Sequence, residues 1–181
     1  MNETIDTIKS RRSIRKYNDK PISKEIINKL LECAILAPSA RNRQLWRFIV
    51  VTDRNLIKEM SDSIMDEAVQ ASSITKERKK TMEDPIFYKA PVLVLVLKPK
   101  DYEWAKFDCS AASQNMMLAA KSLGIGSIAL GKGDMISSKK DIITKLDIPK
   151  DHDIHIVLAF GYTDEWPEAP ERKNPDVKWI E

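Results

Sequence analysis

Residues 91–97 read Pro-Val-Leu-Val-Leu-Val-Leu, and residues 108–123 read Asp-Cys-Ser-Ala-Ala-Ser-Gln-Asn-Met-Met-Leu-Ala-Ala-Lys-Ser-Leu. The first run is strand-sized and apolar at successive positions. A strand with both faces apolar belongs in the middle of a sheet. In the second run Ala111, Ala112, Met116, Met117, Leu118, Ala119, Ala120 and Leu123 fall nearly all round a helix. Such a helix must be buried against a neighbour, a second subunit being one candidate. Its small residues also let adjacent backbones come close. Asp108, at its start, reads as a cap rather than a general acid.

The flanking sequence supplies further elements. A short helix is predicted over Glu3 to Ser10, with Ile5 and Ile8 on one side. Ser23 can cap a second helix, in which Ile26, Ile27, Leu30, Leu31, Ala34 and Ile35 recur at helical spacing before Pro38. Arg47 to Thr52 reads as a strand and Asn55 to Ala68 as an amphipathic helix. About residues 69–89 the chain is charged and irregular, which predicts a mobile helix and loop. Ser127 to Leu130 and Ile154 to Phe160 read as strands, with a short helix over Lys139 to Leu146. From about residue 161, Pro167, Pro170 and Pro175 exclude a regular core element. The tail ends in Val177-Lys178-Trp179-Ile180, an apolar stub suited to a sheet edge. Irregular interleaving of helices and strands predicts an α+β fold, a single domain over 1–181 around one mixed sheet.

Bulk properties agree with a globular chain: 181 residues, 43% hydrophobic, 31% charged. Such a length buries most of the surface of its unfolded chain. The net charge of +3 argues against nucleic acid or a membrane surface as partner. No apolar stretch approaches the roughly 20 residues of a membrane span, and Met1 to Lys9 lacks a signal core. With Cys33 and Cys109 far apart and no CxxC, the expected setting is the reducing cytoplasm, with both cysteines acting as small buried hydrophobes.

Several chemistries are weighed and set aside. Gly126 to Lys132 has Walker spacing, but Gly133 replaces the magnesium-binding hydroxyl and the interior is an apolar strand. Gly124-Ile-Gly126 follows a helix instead of linking a strand to one. His152 and His155 read as a solvated loop histidine and a strand histidine, with no set of metal ligands around them. No nucleophile elbow supports serine chemistry. Arg11, Arg12, Ser13 and Arg15 are different: three guanidinium groups and a hydroxyl suit a dianionic phosphate, although a solvated basic stretch would look the same. Ala37 to Phe48 then sets polar amides between a helix end and a core strand, a position suited to a flat heterocycle.

Together these runs, Arg-Arg-Ser-Ile-Arg from 11, Ala-Pro-Ser-Ala-Arg-Asn-Arg-Gln-Leu-Trp-Arg-Phe from 37, the helix from Asp108, and Gly-Tyr-Thr-Asp-Glu-Trp-Pro from 161, resemble the nitroreductase family of flavoproteins. The likeness spans nearly the whole chain in the family's order. Residues 69–89 stand outside it, and Leu45 replaces a frequent proline, which should alter only loop rigidity.

The resemblance implies a nitroreductase-like α+β fold with a central mixed, mainly antiparallel sheet. It implies a homodimer sharing two sites for tightly bound, non-covalent FMN, each C-terminal arm (about 161–181) wrapping over its partner. By motif position, Arg11 and Ser13 would hold the phosphate, Arg12 would act through its backbone, and Arg172 or Lys173 would close the site. Arg15 would sit by the ring edge where charge collects on reduction, as an electrostatic tuner. Pro38, Ser39 and Ala40 would reach across from the other subunit, with Asn42 and Gln44 on polar edges. Ala129, Leu130, Gly131 and Lys132 would present backbone N–H groups. No side chain is required as a catalytic acid or nucleophile, and no metal. NADH or NADPH would be co-substrate, and a nitroaromatic, quinone or other small molecule the acceptor in a ping-pong cycle. The alternatives are dehalogenation, oxidation of the flavin, or a flavin-binding sensor without turnover.

Overall fold

A computed structural model describes residues 2–181. Four strands form one sheet in the order β1-β2-β4-β3, where β1 is Arg47–Val51, β2 Val92–Pro99, β3 Gly126–Leu130 and β4 His152–Gly161. All three strand pairings are antiparallel. The sheet is thus mainly antiparallel, as expected, and among the described residues the parallel contact is an isolated bridge between Ser13 and Ser127. As its sequence requires, β2 is central, and Val92 to Leu97 are all buried.

Helices cover both faces. One face packs α2 (Lys24–Ile35) and α5 (Ala105–Ser122) over Val92, Val94, Val96, Leu158 and Phe160. The other packs α3 (Arg54–Gln70), α6 (Gly133–Ser137) and α7 (Lys140–Lys145) over Leu93, Leu95, Leu97, Val157 and Ala159. The period of two along β2 and β4 divides the core into these two layers. Ser23 caps α2 through its hydroxyl, as its position predicts.

The helix α5 begins at Ala105, three residues before Asp108, so Asp108 lies inside the first turn and is not its cap. One face of α5 is buried, whereas Phe107 and the flanking Trp104 and Leu123 are exposed. Ile5 and Ile8 on α1 (Glu3–Ser10) are exposed as well. His152 corrects another expectation, because it is buried at the start of β4 beside Asp151 rather than solvated. Cys109 is buried and its thiol is pushed up to about 12, chiefly by desolvation and then by Asp108. Cys33 is only half-buried, short of the burial expected of it.

Between α3 and β2 the chain forms the helix α4 (Lys76–Thr81), held at both sides. Before it, the Ala68 carbonyl accepts from Ser73 N–H (2.9 Å), Ile74 N–H (3.1 Å) and Ser73 Oγ (2.9 Å). After it, Asp84 accepts from Ser61 Oγ at 2.7 Å and from the N–H groups of Ile86, Phe87 and Lys89 at 3.0–3.1 Å. That knot turns Ile86 and Phe87 fully into the core. Residues 162–181 form neither helix nor strand, and Val177, Trp179 and Ile180 stand exposed.

Candidate functional site

The basic knot sits where α1 ends and the chain runs onto the edge of β3. Ile14 N–H donates to the Ser127 carbonyl at 3.0 Å, which fixes residues 13–15 along that edge. Gly126 permits the approach, because a Cβ there would lie 2.8 Å from Ile14 Cγ1. Tyr17 braces the same segment, donating from Oη to the Ile14 carbonyl at 3.0 Å. Burial raises the Tyr17 pKa, so the phenol stays protonated.

The side chains of the knot divide. Arg12 turns back, donating to the carbonyls of Lys9 (2.7 Å) and Arg11 (2.8 Å), and its Nε is buried without a partner. Arg15 is exposed, with one long contact to the Ser13 carbonyl at 3.4 Å. Arg11 is half-buried, and its pKa is lowered by burial, then by repulsion from Arg12 and Arg172. The tail brings Arg172 there. Glu165 pairs with Lys16, Trp166 lies under Lys121 Nζ at 3.6 Å, and the chain then passes the knot. Among the described residues no carboxylate comes within ion-pair distance of Arg11, Arg12, Arg15 or Arg172. Lys173 is exposed and is not among the charges that act on Arg11.

The loop from Pro38 to Gln44 forms a second cluster. It contains a 3-10 turn at Ala40–Asn42, and Arg41, Asn42 and Gln44 all have left-handed φ values of 51–55°. Holding three non-glycine residues there costs free energy that the surroundings must offset. Ser39 Oγ accepts from Gln44 N–H at 3.1 Å, and Gln44 Nε2 donates to Asn42 Oδ1 at 2.9 Å. Asp108 and Tyr102 complete the support: Ala40 N–H donates to Asp108 Oδ1 (3.1 Å), and Tyr102 Oη donates to the Ala40 carbonyl (3.2 Å). Sequence reasoning missed both, and only the placement of Asp108 near a helix start drew attention to it.

The third cluster is the end of β3. Ala129 and Gly131 are exposed, and a Cβ on Gly131 would meet nothing within 4 Å. Lys132 follows, and its Nζ donates to Ser73 Oγ at 2.8 Å. The Ser13–Ser127 bridge joins the knot to the strand whose far end is this third cluster. The Pro38–Gln44 loop is tied instead to the start of α5, and it lines a separate cavity with Asp101, Tyr102, Glu103 and Trp104.

Half-buried Arg11 and Arg12, with exposed Arg15 and Arg172 and no carboxylate partner among the described residues, lie beside the exposed end of β3 on an α+β scaffold, an arrangement of the class that suits an anionic ligand. Comparison with known proteins makes that class specific. Residues 8–162 match the model of the Nitroreductase family, and the chain belongs to that family. A protein of Archaeoglobus fulgidus with the provisional name NADH dehydrogenase/NAD(P)H nitroreductase is 37% identical, over 97% of this chain and 96% of its own. A nitroreductase of Bacteroides fragilis, solved with bound FMN, has a TM-score of 0.82 and 30% identity, with 100% of both chains covered. An FMN-dependent nitroreductase of Clostridium difficile has a TM-score of 0.85 and 29% identity over 98% of this chain and 99% of its own.

Proposed function

We propose that this chain is one subunit of a homodimeric NAD(P)H-dependent FMN oxidoreductase acting on a small organic acceptor. The observation that carries the reading is that Arg11 and Arg12 are half-buried, with Arg172 near Arg11 and no carboxylate among the described residues within ion-pair distance, a positive site that an anion would complement. A flavin phosphate matches that demand, and the exposed, glycine-lined end of β3 leaves room for a flat ring alongside.

Arg11, Ser13 and Arg172 hold the phosphate in this reading. Arg12 keeps its side chain on the end of α1 and contributes mainly through its backbone. Arg15, exposed and free of carboxylates, offers positive charge to a ring edge that becomes negative on reduction. The backbone at Gly131 and Lys132 orients the ring, as Gly131 lacks a Cβ that would hold it off. Pro38, Ser39, Ala40, Asn42 and Gln44 complete the site of the other subunit, consistent with their tie to α5 and not to the knot. Hydride acceptance from a nicotinamide and its delivery to an acceptor are the chemistry FMN supplies when bound. One cleft serves donor and acceptor in turn, so the kinetics are ping-pong. Protein groups contribute orientation and electrostatics, with no side chain exchanging a proton.

The test is a visible spectrum after FMN addition and desalting, followed anaerobically by NADH and then NADPH. Retained flavin absorbance that bleaches with one nucleotide and recovers with an acceptor is the expected result. Retained flavin that neither nucleotide bleaches would leave a binding protein without turnover.

A further inference from the structure

Away from the arginine knot, two further cationic side chains, Arg78 and Lys132, lie near the end of β3. Arg78 on α4 donates from Nη2 to Tyr88 Oη at 3.3 Å and stands 5.7 Å over that ring. Lys132, at the end of β3, reaches Ser73 Oγ. Both are half-buried, and Lys132 is depressed below the usual lysine range by burial and by the Arg78 charge. Tyr88 holds Arg78 from a rigid base, since the Asp84 knot buries Ile86 and Phe87 and sets Tyr88 at φ 59°.

Nearby carboxylates are already engaged. Asp66 pairs with Lys79, Glu67 with Lys139 and Glu83 with Lys89, while Asp84 is filled by N–H groups and Ser61. Glu77 is next to Arg78 on α4, and successive helix residues do not share a face. Among the described residues neither Arg78 nor Lys132 forms an ion pair, so the two half-buried cations can take an anion from outside. Lys132 directly follows Gly131 and lies near Arg78, so an anion held by the pair would sit beside the exposed end of β3.

We propose that Arg78 and Lys132 form an anion-recognising rim that selects substrates carrying a phosphate or carboxylate. The assignment rests on the oxidoreductase reading above. It has two sources to distinguish: the 2′-phosphate of NADPH and an acidic group on the acceptor.

The experiment compares wild-type holoenzyme with Arg78→Gln on two matched pairs, NADPH against NADH and 4-nitrobenzoate against nitrobenzene. The ratio of kcat/KM for the member with the extra anionic group over the member without it should fall about tenfold in one pair, equivalent to about 1.4 kcal/mol. The pair that moves identifies the source. Arg78→Lys, which keeps the charge, should recover much of the ratio. Unchanged ratios in both pairs overturn the rim even if the flavin turns over normally. Should neither nucleotide bleach the flavin, the oxidoreductase reading fails alone. The rim is then tested by titrating the unreduced protein with adenosine 2′,5′-bisphosphate and with 4-nitrobenzoate. Arg78→Gln should weaken one of them about tenfold, and a variant that binds both probes as tightly as wild type would refute the rim.

Discussion

Asp108 offers the sharpest test of how the Pro38–Gln44 loop is held. It is 2% exposed, accepts from Ala40 N–H at 3.1 Å, and leaves Oδ2 without a partner. Asp108→Ala deletes the acceptor, orphans a backbone N–H and opens a small void. A hydrogen bond to a charged group contributes about 1.5–3 kcal/mol, so the expected loss is about 2–3 kcal/mol. For a chain of this size that lowers the thermal midpoint by roughly 4–12 °C. Asp108→Asn keeps an oxygen toward Ala40 and places its amide nitrogen where Oδ2 already lacked a partner. Giving up a buried charge offsets part of the weaker bond, so its cost should stay under about 1 kcal/mol. Midpoints are read by circular dichroism at one fixed protein concentration, so that any self-association affects every variant alike. An FMN titration of each variant follows, with weaker retention expected for Asp108→Ala because the loop loses its left-handed turns. If Asp108→Ala melts with wild type, or Asp108→Asn costs as much as Asp108→Ala, the carboxylate does not hold the loop.

Other residues give shorter tests. Gly133→Ala would put a Cβ 2.4 Å from the Ile154 carbonyl oxygen and should destabilise by about 2 kcal/mol or more, whereas Gly131→Ala meets open space and should melt near wild type while binding FMN less tightly. Thermal midpoints and FMN titrations separate the pair, and equal melting of both variants would contradict the packing. His155 has its pKa lowered by burial, then by Lys98 and Lys106, so the unfolded chain takes up a proton first. Stability should therefore fall as pH drops below the ordinary histidine value near 6.5. His155→Gln should flatten that slope in pH-dependent melting, and an unchanged slope would assign it elsewhere. Deleting residues 174–181 removes the exposed Trp179 and Ile180 and should shift sedimentation toward the monomer. An unaltered sedimentation profile would leave the arm without a role in assembly.

Where a feature is local, the sequence carries it. Ser23 with its helical apolar repeat, the doubly apolar β2 and the arginine knot are each read within a few residues. What escaped depends on distant pairing or on too little chain. The helix α6 is a single short turn, which leaves no periodicity to detect. Asp108 acts on a residue 68 positions away, so its neighbourhood along the chain suggests only a cap. In residues 69–89 dense charge conceals Ile86 and Phe87, whose burial depends on Asp84 gathering three N–H groups. The approach of Arg172 to Arg11 follows from the path of the tail, which no local pattern encodes.

The anchors on either side of α4 bear on how this scaffold can change. Ser73 and Ile74 close onto Ala68 before it, and the Asp84 knot fixes the return to β2 after it. A graft, deletion or insertion between those anchors would alter loop closure by only about 0.6 kcal/mol per doubling of length. The register of β2 would be unaffected. The piece of chain that carries Arg78 can thus diverge in length and charge while the sheet and the arginine knot stay constant. Exchanging residues 75–83 between relatives should move substrate range as a cassette.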